Sequence, residues 1–203
     1  MKIKPIAAAV SLMLTLACGA VEITYTNPLW DGYLADPHVF KVGETYYAIG
    51  TGKAPDGKQY PILRSSNFTD WEVVGGALDD IEGLKEYWAP EIVERDGKFY
   101  LHYAGNSKMR VAVSDKPTGP FKDTGKLMFP ELEFSIDGHV FKDTGSDKWY
   151  LFFAKDFFDK RPGTALAVVE LADDMATPVG EQKTVMRAFA DGQIYERDRD
   201  LYD

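Results

Sequence analysis

Two short segments each carry an aspartate with a histidine two residues downstream: Asp36-Pro37-His38-Val39-Phe40 and Asp137-Gly138-His139-Val140-Phe141. Two carboxylates sharing a pocket can divide acid–base work. One can stay ionised while the other keeps its proton, because neighbouring anions resist double ionisation. Taken singly, Asp before Pro or Gly is an ordinary turn residue. Recurrence at equivalent places favours chemistry instead. A middle copy, Pro90-Glu91-Ile92-Val93-Glu94, lies halfway between the two and carries its own acid. Glu91 is offset from the aspartates and reads as a structural or supporting carboxylate. His38 and His139 share one position of the repeat. With His102 in what reads as an outer-strand context, a third metal ligand is missing, so hydrogen bonding or pocket lining suits them better than a metal. Neither a metal nor a cofactor is expected.

The elements that must position these groups are strands. After each segment comes a Gly-containing turn and an aromatic, β-rich run, and the second tyrosines, Tyr47, Tyr100 and Tyr150, recur about every fifty residues. That is a hairpin signature repeated at a fixed period. A third strand follows in each repeat: 62–66, 110–114 and 165–170. Turn-rich links through 68–74, 118–123 and 175–179 then lead into a fourth. Four short strands per period describe a blade of a β-propeller. A β-sandwich of similar strands is the alternative, although it gives no reason for the same words to return at this spacing. Gly, Pro, Asn and Asp punctuate the chain too often for long helices. In a propeller the innermost strands ring the axis. Acids 101 residues apart, such as Asp36 and Asp137, then meet on one funnel wall.

Residues 1–20 read as an export signal, with Lys2 and Lys4 ahead of an apolar run too short to span a bilayer. Leu16-Ala17-Cys18-Gly19 admits lipidation of Cys18, and cleavage after Ala20 is the competing outcome. The expected location is periplasmic, cell-surface or extracellular, with membrane contact only through that anchor. Residues 21–203 then form one domain. Cys18 is the single cysteine, so packing without disulfides must hold the body, and a 45% hydrophobic composition can supply it. The net charge is −9, and no basic cluster relieves it. Nucleic acid is therefore an unsuitable partner, and a neutral carbohydrate a suitable one. At the observed period the chain holds about three blades and part of a fourth, whereas closed propellers need at least four. On that arithmetic the sequence is expected to be a C-terminally truncated domain.

Four stretches in order resemble glycoside hydrolase family 43: Leu34-Ala35-Asp36-Pro37-His38-Val39-Phe40, Tyr87-Trp88-Ala89-Pro90-Glu91, Ser114-Asp115-Lys116-Pro117-Thr118-Gly119-Pro120-Phe121 and Ser135-Ile136-Asp137-Gly138-His139-Val140-Phe141. The resemblance implies an all-β, five-bladed propeller that hydrolyses arabinose- or xylose-containing polysaccharides with inversion. It implies that Asp36 is the general base and Asp137 the acid that tunes and orients the general acid. The general acid of that family is a Glu in a Glu-Gly-Pro motif, which this sequence does not contain. His38 and His139 would line the pocket beside the aspartates. Trp88 and Trp30 are candidates for sugar-stacking walls, since indole packs on sugar C–H faces, and Ile136 for an apolar wall. Trp71 and Trp149 read as blade packing. A non-catalytic carbohydrate-binding propeller is the second functional reading. The Asn-Asp-Pro-Asn-Gly opening of invertase-like propellers is absent.

Overall fold

The computed structural model describes residues 24–156 and 164–187. The leader, Cys18 and the charged residues from Tyr195 onward lie outside the described residues.

Alternation of branched or aromatic residues with polar ones produces strands throughout, and turn residues punctuate them at the expected places. The first sheet comprises β1 (Ala35–Val42), β2 (Thr45–Thr51), β3 (Gln59–Ser65) and β4 (Glu72–Leu78). The second comprises β5 (Tyr87–Arg95), β6 (Lys98–Gly105), β7 (Lys108–Ser114) and β8 (Lys122–Leu127). The third comprises β9 (Ser135–Asp143), β10 (Lys148–Lys155), β11 (Ala165–Leu171) and β12 (Pro178–Arg187). Each sheet is a four-stranded antiparallel meander in sequence order. Tight hairpins follow from local chemistry. Asp96 (φ 52°) and Gly97 (φ 75°) turn β5 into β6, and Asn106 (φ 50°) and Ser107 (φ 59°) turn β6 into β7. Two successive positive φ values match the right-handed twist of a two-residue hairpin.

The first strands stand next to one another, β1 against β5 and β5 against β9. They are therefore the inner strands of three propeller blades, as the repeat predicts. The cores lie between blades. Ile49, Tyr60 and Ile62 of the first blade pack with Ile92, Leu101 and Tyr103 of the second. Met109 and Val111 of the second pack with Val140, Leu151 and Phe153 of the third. Tyr60 and Ile62 of β3 enter the core shared with the second blade, and β3 is buried at six of its seven positions, with only Arg64 exposed, so it carries an apolar run rather than a simple alternation.

The turn-rich link through 175–179 leads into the fourth strand as expected: Met175 is fully buried at φ 56°, and the strand begins at Pro178. One local expectation shifts. His102, read as an outer-strand residue, lies on β6 beside the inner strand and is fully buried.

Met109 joins two blades, since its Sδ and Cε approach the space over Gly138 and its side chain has no exposure. Met109→Ala is expected to cost about 2–5 kcal/mol in a urea titration, as for other buried large-to-small changes.

Candidate active site

Each inner strand departs from regular pairing at the same point. Between Ala35 and His38, between Trp88 and Glu91, and between Ile136 and His139, three steps on the inner strand face two on its neighbour. That is a β-bulge, which bends a strand and re-aims a side chain. The bulge residue is left-handed in all three blades: Asp36 at φ 47°, Ala89 at φ 44° and Asp137 at φ 54°. Asp tolerates this region better than most residues because its short polar chain bonds locally. Ala89 has no such compensation.

The three bulges converge. A cleft of about 320 Å³ is lined by one triplet from each blade: Asp36-Pro37-His38, Ala89-Pro90-Glu91 and Asp137-Gly138-His139. Of the residues expected at the site, Asp36, Asp137, His38 and His139 therefore meet there. Trp88, Trp30 and Ile136 are not among the lining residues. Trp30 lies over Gly32, where a Cβ would meet the indole at 2.1 Å. Ile136 pairs with Ala154 and Trp88 with Ala104 just ahead of their bulges.

Glu91 is the hub of the cleft floor. Its carboxylate is buried and accepts the Val140 N–H at 2.8 Å and the His139 Nδ1–H at 2.9 Å, both from the third blade. His139 thus uses Nδ1 as the donor to Glu91, and its side chain is 65% exposed. His38 approaches from the first blade. Its Nε2 lies 3.1 Å from the Ile92 carbonyl, which can only accept, so the proton sits on Nε2. Its Nδ1 is 3.8 Å from Glu91. Burial lowers the His38 pKa more than the Glu91 charge raises it. His38 is thus neutral at neutral pH, and the 3.8 Å approach is a contact rather than an ion pair. Behind Glu91, His102 donates Nε2–H to the Met175 carbonyl at 2.8 Å, and burial holds it neutral as well.

The two aspartates differ. Asp36 accepts a 2.7 Å bond from the Thr51 hydroxyl. Asp137 has its pKa raised, first by desolvation and then by the charge of Asp36. The pair is therefore graded, with one carboxylate anchored by a donor and the other biased toward protonation. Among the described residues no group of three or more His, Cys, Asp or Glu side chains is arranged to hold a metal ion.

The sequence reading took Glu91 as a structural or supporting carboxylate, in keeping with its two bonds, but missed Thr51. Aligning Val39, Ile92 and Val140 places Glu91 in the histidine column and Ala89 in the aspartate column, so the hub had a signal in the repeat. Thr51 had none.

The family model for glycosyl hydrolases family 43 matches residues 25–197. The chain belongs to glycosyl hydrolase family 43. Among curated members, it is 37% identical over 145 residues to xylosidase/arabinosidase 43A of Humicola insolens, covering 60% of this chain and 43% of that one. It is 27% identical over 128 residues to an extracellular endo-α-(1→5)-L-arabinanase of Thermotoga petrophila, covering 51% of this chain and 26% of the relative. The crystal structure of a thermostable family-43 glycoside hydrolase superposes with a TM-score of 0.72 at 29% identity, over 83% of this chain and 58% of that one. The chain thus spans about a quarter to under half the length of these curated family 43 relatives.

Two outcomes test this geometry. Gln at position 91 offers one acceptor oxygen to two donors, so Glu91→Gln is expected to lower stability by about 1–3 kcal/mol in chemical denaturation. For Asp137 the raised pKa means that the folded state holds its proton more tightly than the unfolded state. Its ionisation therefore opposes folding as pH rises from the ordinary Asp range, ~3.9, through the raised value. Asp137→Asn is expected to raise Tm at pH 7 and to give no gain at pH 3.

Proposed function

We propose that this family 43 chain hydrolyses glycosidic bonds of arabinose- or xylose-containing carbohydrates with inversion at the anomeric carbon. The observation that supports this most is the convergence of Asp36 and Asp137, from blades one and three, on one cleft. In this reading Asp36 is the base. It takes a proton from water as the water attacks the anomeric carbon from the face opposite the leaving oxygen. Asp137 modulates the group that protonates that oxygen. Its burial beside Asp36 suits such a role, because its own charge and that of Asp36 disfavour a further anion nearby. His139 Nε2 suits a sugar hydroxyl, held in one tautomer by Glu91.

Glu91 is committed to two donors, so it is a poor choice for the protonating acid. The family resemblance gives that role to the Glu of a Glu-Gly-Pro motif, which residues 1–203 do not contain. The names of the relatives, xylosidase/arabinosidase and endo-arabinanase, support a pentose substrate. An extracellular setting fits both the leader-like residues 1–20 and the word extracellular in the arabinanase's name, with a lipid anchor at Cys18 as one route to the cell surface. The commitment of Glu91 also favours a second reading, a carbohydrate-binding propeller that does not turn over.

A substrate that leaves without protonation separates the two. A 2,4-dinitrophenyl xyloside or arabinofuranoside needs only the base. Turnover of one of these by the full chain is expected to fall about 10²- to 10⁴-fold in Asp36→Asn, the usual contribution of a general base. NMR of the first-formed sugar is expected to show the inverted anomer. Binding of xylo- or arabino-oligosaccharides with no Asp36-dependent turnover would establish the binding reading instead.

A further inference from the structure

Thr51 ends β2 opposite Ala35, one residue before the bulge at Asp36. Its hydroxyl oxygen accepts the Ala89 N–H at 2.8 Å and lies 2.7 Å from Asp36 Oδ2. These two bonds fix each other's direction. The Ala89 amide can only donate, so it occupies a lone pair of the hydroxyl, and the single hydroxyl proton is free for the carboxylate. The result is a one-way chain: backbone amide of the second blade, hydroxyl of the first, carboxylate of the first.

Both ends of this chain depend on bulges. Asp36 and Ala89 are left-handed, and the irregularity between Trp88 and Glu91 takes Ala89 out of the ladder with β6, which frees its amide to reach across the blade boundary. The same register position holds Ala104 opposite Trp88 in the second blade and Ala154 opposite Ile136 in the third. A hydroxyl is thus found only in the blade that carries Asp36, and the repeat as such does not demand it. A β-branched residue also restricts χ1, which keeps the hydroxyl between its two partners.

We propose that Thr51 is a positioning residue for Asp36: it holds Oδ2 so that Oδ1 faces attacking water, and it makes the base's aim depend on the backbone of the neighbouring blade. This rests on Asp36 being the base of the proposed reaction. Thr51→Val keeps the shape and removes the hydroxyl, leaving the Ala89 N–H and Asp36 Oδ2 without each other's relay. Thr51→Ser keeps the relay.

The test compares the full chain with both variants on a 2,4-dinitrophenyl pentoside and by crystallography, with Thr51→Ala in reserve should the valine variant not fold. Thr51→Val is expected to lose about 10- to 100-fold in kcat, the scale of a small misplacement of a reacting group, with KM within twofold of the parent (roughly, since uniform binding is untouched). Its Asp36 carboxylate is expected to leave the position seen in the parent. Thr51→Ser is expected to restore both kcat and the carboxylate position. An unchanged kcat and carboxylate in the valine variant would overturn the inference. So would a serine variant as impaired as valine, which would show packing, or a raised KM at constant kcat, which would show sugar binding. A parent without Asp36-dependent turnover would refute the proposed reaction, and the carboxylate position alone would then decide whether Thr51 holds Asp36.

Discussion

The site depends on one backbone constraint: each inner strand carries a bulge whose central residue is left-handed. A regular strand alternates its side chains between two faces, and in a propeller both faces of a blade press on neighbouring blades. A side chain at the bulge position of a regular inner strand would therefore belong to a blade interface. The extra residue breaks that alternation and turns Asp36 and Asp137 into the axial cleft. The conformation costs on the order of 1–2 kcal/mol for each residue that is not glycine, and it survives because the flanking ladders hold it from both sides. Ala89 bears the same strain without a carboxylate of its own. Its displaced amide gives that strain a use, since it is the donor that reaches Thr51.

Beneath the bulges, Glu91 couples the blades by charge. A buried carboxylate is costly unless it is hydrogen-bonded, and here both oxygens have donors from the third blade. The neutral state of His38 matters to this balance. A cationic His38 beside Glu91 would add attraction, yet burial of that imidazole disfavours its charge more strongly. The cleft floor thus combines an anion with two neutral imidazoles, His38 and His102, and the exposed ring of His139. Rigidity in the floor and openness at His139 and the aspartates suit a site that fixes its own groups and admits a polar ligand.

The same arrangement explains why stability and chemistry are set against each other at Asp137. Desolvation and the neighbouring Asp36 charge disfavour its ionised form. Such groups concentrate where function selects them over packing. The interblade cores, built from residues such as Tyr60, Tyr103, Leu151 and Phe153, are the source of stability that makes this tolerable.

Period and pattern were legible in the chain. The recurrence of Asp-x-His with a hairpin behind it determined the blades, the strand order within each and the meeting of two aspartates. The local reason is that strand alternation, turn residues and repeat spacing are all properties of neighbouring residues. Burial was less legible, as at His102, which reads as an outer-strand residue and lies fully buried on β6. The family resemblance placed Asp36 and Asp137 among catalytic groups, but the aromatic walls expected at Trp30 and Trp88 do not reach the cleft lining. Only the tertiary structure decided the rest. A bulge shows in register rather than in residue type, a tautomer is chosen by a partner some fifty positions away, as Glu91 chooses for His139, and Thr51 becomes meaningful only when an amide from the next blade arrives beside it. Hydrogen bonds between blades are set by distance in space, which a linear pattern does not encode.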